Sequence, residues 1–489
     1  MVAAYPKTLG NWIDGAERPA ADGTTFDKIA PHDGRRLGAV ARSKAADVDL
    51  AVRTARAAFP SWADTPAVQR GGILHKVCNS LEARSADMAT IVAAETGKSP
   101  KEALGEIGGA VALGRFYAGE GQRLYGRTST SGIANRNVSM VREPCGVAAL
   151  IIAANTPIAN LAWKVFPALI CGNAAVLKTA EDTPYTAGLL AEISAEAGLP
   201  PSILNIVQGL GAEAGRALVE HSDIDVLSFT GSTGVGRWIA ETGGRRLLKV
   251  SLELGGKNPF VVCDDADLDN AVRWAALSAY SNAGQRCAAG SRLIVLDSIY
   301  NKFRDALVAA TNKLKLGPGD DDDLGPVINQ RQLDNMLGAV ARAKEAGARI
   351  LTGGERLSDP AHASGCYMAP TLIEDVWQDF EISTREIFGP ISCLYRVPDF
   401  AAALDLANRS PYGLTAAIHT RDLNRAMVFL RRARAGVVSV NGGTYGSEPH
   451  MPFGGVKQSG NGTREPGTEA LDIYTNLKNM VVNFDPDRV

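Results

Sequence analysis

Two α/β domains, each a doubly wound parallel sheet, are what this sequence predicts. Short β-rich runs alternate with helical segments in two successive blocks, the pattern of strands joined by helical crossovers. The chain of 489 residues has room for two to four domains at roughly 150 residues each. Glycine is in excess, at 51 residues, as expected where many tight turns join packed elements.

A short strand-like lead is followed by a helical region from Asp47 to about Ala118. There Ala51, Ala55 and Phe59 recur on one face, as do Leu74, Val77, Leu81 and Ile91. From Arg123 to Val141 the text turns to Ser, Thr, Gly, Asn and Arg with alternating apolar residues, which predicts a linker or projecting hairpin. The first alternating block then runs through GVAALII (146–152), AAVLK (174–178), LNIVQG, VLSFT (226–230) and LKVSLEL, with helices between. The second starts at PFVVC near Pro259. It continues through a helix from about Asp267 to Asn282, RLIVL (292–296), GPISCLYRV and GLTAAIHT, and ends near Phe453. LKNMVVNFD reads as a last strand. Parallel sheets bind ligands at the carboxyl ends of their strands, so the turns there are where function is expected.

Composition excludes several classes. With 51 Lys+Arg against 53 Asp+Glu the net charge is −2, which excludes a basic nucleic-acid binder and a polyacidic tail. Seven scattered cysteines without a CxxC pair predict a reducing compartment, no disulfide framework and no structural zinc. The opening residues lack a signal-peptide pattern, and the longest apolar stretch, Val147 to Ala154, is far short of the ~20 residues that span a bilayer. A cytoplasmic protein without membrane or nucleic-acid partners is expected. The run GPGDDDDLGP (317–326) reads as a solvated loop, and its tandem Asp residues lack the alternating spacing of a calcium loop, so no metal site is expected.

Four stretches hold residues fit for chemistry. Cys287, in SNAGQRCAAGSR, has small neighbours that leave its sulfur approachable and an adjacent Arg286 that would favour thiolate; a buried cysteine acting as a small hydrophobe is the plainer reading. Glu253 ends an apolar run before two glycines, where a raised pKa would suit a general base, or where it would cap or pair at a strand end. Asn155 follows a β run and could donate to an oxyanion, or serve as a turn residue before Thr-Pro. In SFTGSTGVG (228–236) a strand, glycines and hydroxyls precede a helix, a geometry that presents N–H groups to phosphate. GLGAEAG (209–215) is off-pattern for a dinucleotide fingerprint and is expected to be a loop.

Seven blocks in this order resemble the aldehyde dehydrogenase superfamily over essentially the whole chain. They are PCGVAALIIAANTP, VLKTAEDTP (176–184), FTGSTGVG, LELGGK, GQRC, EIFGP (386–390) and PFGGVKQSGNG (452–462). The resemblance implies that Cys287 is the nucleophile, Glu253 the base for the deacylating water, and Asn155, with the backbone N–H of Cys287, the oxyanion hole. Lys178 and Glu181 match contacts to the adenosine ribose, and Ser232, with Gly231 and Gly236 in the same turn, matches the pyrophosphate site. Glu386 matches the residue on the nicotinamide ribose, with Phe388 against the nicotinamide. Arg286, Trp163 and Phe453 are expected to meet substrate.

The cofactor implied is NAD in preference to NADP, because Glu181 would repel a 2′-phosphate. The implied architecture is an NAD-binding domain (1–121 and 145–256), a catalytic domain (257–456) and a small β oligomerisation element (122–144 and 472–489), giving a homodimer or homotetramer. The expected activity is oxidation of a small aldehyde to its acid, with the alternatives of a coenzyme A-acylating enzyme or a non-catalytic binding protein of the same fold. Ala153-Ala154 stands where many relatives have Pro-Trp, which makes the pocket wall there unlike theirs. Arg286 resembles branches acting on semialdehydes, and GSEPHMPFGG with NGTREPGTEALD is similar to bacterial enzymes of the 2-oxoglutarate semialdehyde type. Arg286 could equally pair with an acidic neighbour.

Overall fold

A computed structural model describes residues 5–488. Its first seven-stranded sheet has the spatial order Lys249–Glu253, Val226–Thr230, Val147–Ile151, Ala174–Lys178, Leu204–Val207, Asn11–Ile13 and Ala16–Arg18. The first five strands are parallel; the last two, from the N-terminal lead, add antiparallel. Val147–Ile151 and Ala174–Lys178 are buried throughout, as strands covered on both faces must be. The chain winds outward from Val147–Ile151 first to one side and then to the other, so the sheet has a switch point between that strand and Val226–Thr230.

The second sheet has the order Arg349–Thr352, Thr371–Glu374, Ile391–Val397, Gly290–Leu296, Asn258–Val262, Thr415–His419 and Val437–Val440, parallel except for its first pair. Its side chains alternate between two cores. Phe260, Val262, Leu293 and Val295 face one, and Val261 and Ile294 face the other. The period of two that made these segments readable as strands thus also divides them between two covering layers.

Four helices, Ala45–Asp64, Ala67–Ala83, Ser85–Thr96 and Pro100–Glu120, form the predicted helical region. Ala51, Ala55, Leu74, Val77, Leu81 and Ile91 are buried on it as the periodicity requires. Ser99 caps the fourth helix by accepting from the Glu102 N–H, with Pro100 at the first helical position. The interrupting text at 122–144 is a hairpin, Arg127–Ser129 with Arg136–Pro144, and Thr475–Asn483 pairs antiparallel with its second strand. Leu477, Val482 and Phe484 on this sheet are exposed.

The expectation of a loop at 209–215 is corrected. Gly211–Gly215 forms a wide helical turn that runs into the helix Arg216–Glu220, held by the Leu210 carbonyl, which accepts the Gly215 N–H at 3.4 Å, and by the Glu181 carboxylate, which accepts the Gly211 N–H at 3.0 Å. In the acidic run, Asp320, Asp322 and Asp323 accept the N–H groups of Lys101, Gly319 and Lys315, so backbone donors occupy these carboxylates. Among the described residues no cluster of His, Cys, Asp and Glu could hold a metal ion, and no helix is long and apolar enough to cross a membrane.

Candidate active site

Only four residues, Leu254 to Lys257, join the carboxyl end of the last strand of the first sheet to the amino end of the first strand of the second. A connection so short makes the carboxyl ends of one sheet face the amino ends of the other. The carboxyl-end rule therefore locates Asn155 and Glu253, whereas Cys287 lies before the amino end of its strand, Gly290–Leu296.

The approach to Cys287 is a left-handed turn. Asn282, Ala283 and Gly284 have φ of 55°, 51° and 66°, a conformation costing roughly 1–2 kcal/mol for each residue with a side chain. A Cβ on Gly284 would lie 2.1 Å from the Gly389 carbonyl oxygen, so this position has no room for one. Strain of this kind persists only where surroundings over-determine it, and here they are amides. Asn258, buried in the adjacent strand, donates to the carbonyls of Cys287 at 2.8 Å and Ala289 at 2.9 Å, while its Oδ1 accepts the Thr415 N–H at 3.0 Å. The Gln285 Oε1 accepts the Ile328 N–H at 2.8 Å.

Asn155 is clamped three ways. Its Nδ2 donates to the Gln285 carbonyl at 3.0 Å, its Oδ1 accepts from Asn160 at 3.1 Å, and its carbonyl accepts from Asn282 at 3.0 Å. The Asn160 bond fixes which end of the amide donates, and Asn155 and Cys287 line the same cavity.

Glu253 is buried, and neither carboxylate oxygen has a hydrogen-bond partner. It lies against Gly454, where a Cβ would come within 2.4 Å of Oε1. Burial pushes its carboxyl well above the usual carboxylate range; the charge of Glu465 adds to this, and Lys164 and Arg464 offset it. The raised pKa expected of this residue is therefore produced by desolvation first. Glu465 itself is fully buried in an ion pair with Lys164 at 2.8 Å, and Ser228 bridges the two at 2.6 Å from each.

Cys287 corrects an expectation. Desolvation, followed by the charges of Glu386 and Glu253, pushes its thiol up to about 12, and Arg286 offsets this least. Adjacency in sequence does not aim the guanidinium at the sulfur. Arg286 turns away to Glu102, 3.2 Å distant, donates from Nε to Ser281 at 3.2 Å and lies over the Tyr445 ring at 5.0 Å. Of the two readings left open for it, the structure contains the acidic pairing.

The cavity above Cys287 has a volume of about 510 Å³. Trp163 and Phe453, in edge-to-face contact with ring centroids 5.3 Å apart, both line it, so both aromatic residues expected near substrate reach this space.

The other expected residues gather at the switch point and the carboxyl ends of the strands beside it. Ser232 caps the helix Thr233–Gly244, and its exposed first turn offers N–H groups beside Thr230, whose buried Oγ1 lacks a partner. Gly231 and Gly236 are there for close approach, since a Cβ at either would lie within 2.5 Å of Phe229 or Leu254. Lys178 ends its strand with its ammonium buried, and burial lowers its pKa to about 8. The Glu181 Oε2 accepts the Gly211 N–H at 3.0 Å, and its Oε1 faces Arg331 at 3.6 Å. Glu386 accepts the Gly256 N–H at 2.9 Å, and burial raises it to about 7. Phe388 is held at φ 62° in the adjoining turn.

Sequence reasoning missed Asn258, Gln285 and Glu102. An asparagine inside a strand is unfavourable unless its amide is used, which was a usable signal for Asn258; Glu102 reads as an ordinary first-turn carboxylate and carried none.

Residues 18–480 match the sequence profile of the Aldehyde dehydrogenase family. An aldehyde dehydrogenase of Aspergillus niger is 40% identical over 479 residues, covering 97% of this chain and 95% of its own. The alpha-ketoglutaric semialdehyde dehydrogenase of Bacillus subtilis is 36% identical over 98% of this chain and 99% of its own. A crystal structure of betaine aldehyde dehydrogenase from Staphylococcus aureus in complex with NAD+ superposes with a TM-score of 0.95 at 32% identity, covering 98% of this chain and 95% of that one.

Proposed function

Because this chain belongs to the aldehyde dehydrogenase family, we propose that it oxidises an aldehyde to the carboxylic acid through a covalent bond to Cys287, with a nicotinamide dinucleotide as hydride acceptor. The observation that carries this reading is the convergence of Cys287 and a clamped Asn155 on one cavity, with the orphaned carboxyl of Glu253 close enough to act on the thiol's ionisation.

The Cys287 sulfur adds to the aldehyde carbon and gives up its proton to bulk water as the bond forms, the one net proton the reaction releases, since a thiol at about 12 is mostly protonated at neutral pH. The Asn155 Nδ2, with the Cys287 backbone N–H, stabilises the oxyanion of the resulting thiohemiacetal. When bound, a nicotinamide would supply the hydride acceptor that no side chain can provide, so that the acyl group would be held as a thioester on Cys287. Glu253, whose oxygens have no other partner, then takes the proton of an attacking water, the hydroxide adds to the thioester carbon, and the proton passes on to the departing sulfur. The acid departs and the thiol is restored.

The exposed helix start and the unpartnered Thr230 hydroxyl support a dinucleotide at the switch point. The exposed helix start at Ser232 would hold the pyrophosphate, Lys178 and Glu181 the adenosine ribose, and Glu386 with Phe388 the nicotinamide end. Glu181 disfavours a 2′-phosphate, so NAD is preferred and NADP is the poorer alternative. Residues 1–121 and 145–256 form the nucleotide-binding domain, 257–456 the catalytic domain, and 122–144 with 472–489 the element through which two or four copies assemble. The exposed apolar side chains at 477–484 support that last assignment. The scattered cysteines without a CxxC pair support a reducing cytoplasmic setting.

The test is NADH formation across short aliphatic, aromatic and carboxylate-tailed aldehydes, with Cys287→Ala in parallel and coenzyme A added in separate runs. Activity lost in the variant and independent of coenzyme A is expected. Activity retained without the thiol overturns the mechanism, and comparable efficiency with NADP overturns the cofactor preference.

A further inference from the structure

We propose that Glu102 determines substrate class: by holding Arg286 it leaves the cavity above Cys287 without an available cation, so that bulky uncharged aldehydes, aromatic ones above all, are selected over aldehydes with a carboxylate tail. This rests on the aldehyde-oxidising reading above.

Two cations line the cavity, Lys98 and Arg286. Lys98 is in close contact with the Glu106 carboxylate, both side chains being nearly fully buried, and the other oxygen of Glu106 accepts the N–H groups of Ile158 and Ala159 at 3.0 and 3.2 Å. That carboxylate is tied to a helix start, and its lysine is tied to it. Arg286 is restrained by three partners, the Glu102 carboxylate, the Ser281 hydroxyl and the Tyr445 ring. A carboxylate-tailed substrate would have to displace Glu102 or lie beside it, and like charges at that range repel.

What the cavity offers instead is apolar surface and space. Trp163, Phe453 and Tyr445 present aromatic faces and edges, and Gly105 and Gly109, in the same lining, have nothing within 4 Å of where a Cβ would stand. A planar ring can enter that gap and stack, a geometry aromatic walls favour.

Glu102→Gln tests this while sparing the fold, because the cap at Ser99 uses the backbone N–H of residue 102 and not its side chain. The readout is the ratio of kcat/KM for succinic semialdehyde to that for benzaldehyde, in which any general change in Cys287 reactivity divides out. Wild type should favour benzaldehyde. The variant should raise the ratio by about tenfold, the worth of one freed charge-assisted contact, and Glu102→Gln combined with Arg286→Ala should abolish the gain. A wild type that favours the semialdehyde, or a ratio unmoved by Glu102→Gln, overturns the proposal. Should no variant form NADH with either aldehyde, the aldehyde-oxidising reading falls, and glutarate binding followed by thermal shift still decides the role of Glu102. Stabilisation of Glu102→Gln that is absent from wild type and from the double variant supports it, and no stabilisation of Glu102→Gln overturns it.

Discussion

Replacing Asn258 by aspartate keeps the shape of a side chain that holds the nucleophile and inverts two of its three hydrogen bonds. The Nδ2 donates to the carbonyls of Cys287 and Ala289 at 2.8 and 2.9 Å, and Oδ1 accepts from Thr415. An aspartate preserves only the last. Two bonds are lost, that to the Ala289 carbonyl fully buried and that to the Cys287 carbonyl partly so, and both carbonyls face a carboxylate oxygen. At about 1 kcal/mol net for each bond, plus ~1–3 kcal/mol for leaving a buried acceptor unmet, the local cost is roughly 3–5 kcal/mol. It falls on the segment that carries Cys287, whose left-handed approach is already strained. We expect a lowered thermal midpoint and a fall in kcat on the order of 10²-fold, as displacing a reacting atom by about 1 Å produces. Lowering the pH should restore part of the activity, since protonating the introduced carboxylate returns one donor. Thermal unfolding, steady-state NADH formation and peptide-resolved alkylation of Cys287 together report these effects. A stability loss below ~1 kcal/mol with unchanged kcat would refute the positioning argument.

Glu253→Gln should preserve the first turnover, seen as a burst of NADH, and slow the steady state by about 10²–10⁴-fold, the usual worth of a general base; an unchanged steady state removes Glu253 from deacylation. The free enzyme's Cys287 should be alkylated faster at every step from pH 7 to roughly 10, because its thiol stands at about 12 and thiolate is still accumulating there; a plateau below about pH 8 would show that burial does not dominate. Lys164→Ala strands the charge of Glu465 in a fully buried site, and a destabilisation of about 3–5 kcal/mol is expected from thermal or denaturant unfolding. Val482→Asp places a charge on the exposed strand Thr475–Asn483 and should give a monomeric mass by light scattering; an intact oligomer would move the assembly surface elsewhere.

Much of the fold was legible because it is written in short-range periodicity. The strands of both sheets alternate or run apolar with helices between, and the observed boundaries fall within a few residues of the readings at 146–152, 174–178, 226–230 and 292–296. The lead was legible as strand-like, but its place as the antiparallel edge of the first sheet, made by Asn11–Ile13 and Ala16–Arg18, was not, since segments of three residues are too short to show a period. The helical turn at Gly211 was hidden for a related reason, its glycines being equally at home in a loop.

The candidate site divides the same way. The order of its motifs was enough to single out Cys287, Glu253 and Asn155, because residue type and local context define who can act. Which group meets which was decided by the tertiary structure alone. Glu102 lies 184 residues from Arg286 in the chain, and Asn258 lies 29 residues from Cys287. The four-residue joint that turns two sheets end to end creates the site between them, and it decides that burial raises the thiol more than the neighbouring arginine lowers it. Desolvation and charge pairing depend on distance through space, which local sequence does not encode; helix and strand periods depend on distance along the chain, which it does.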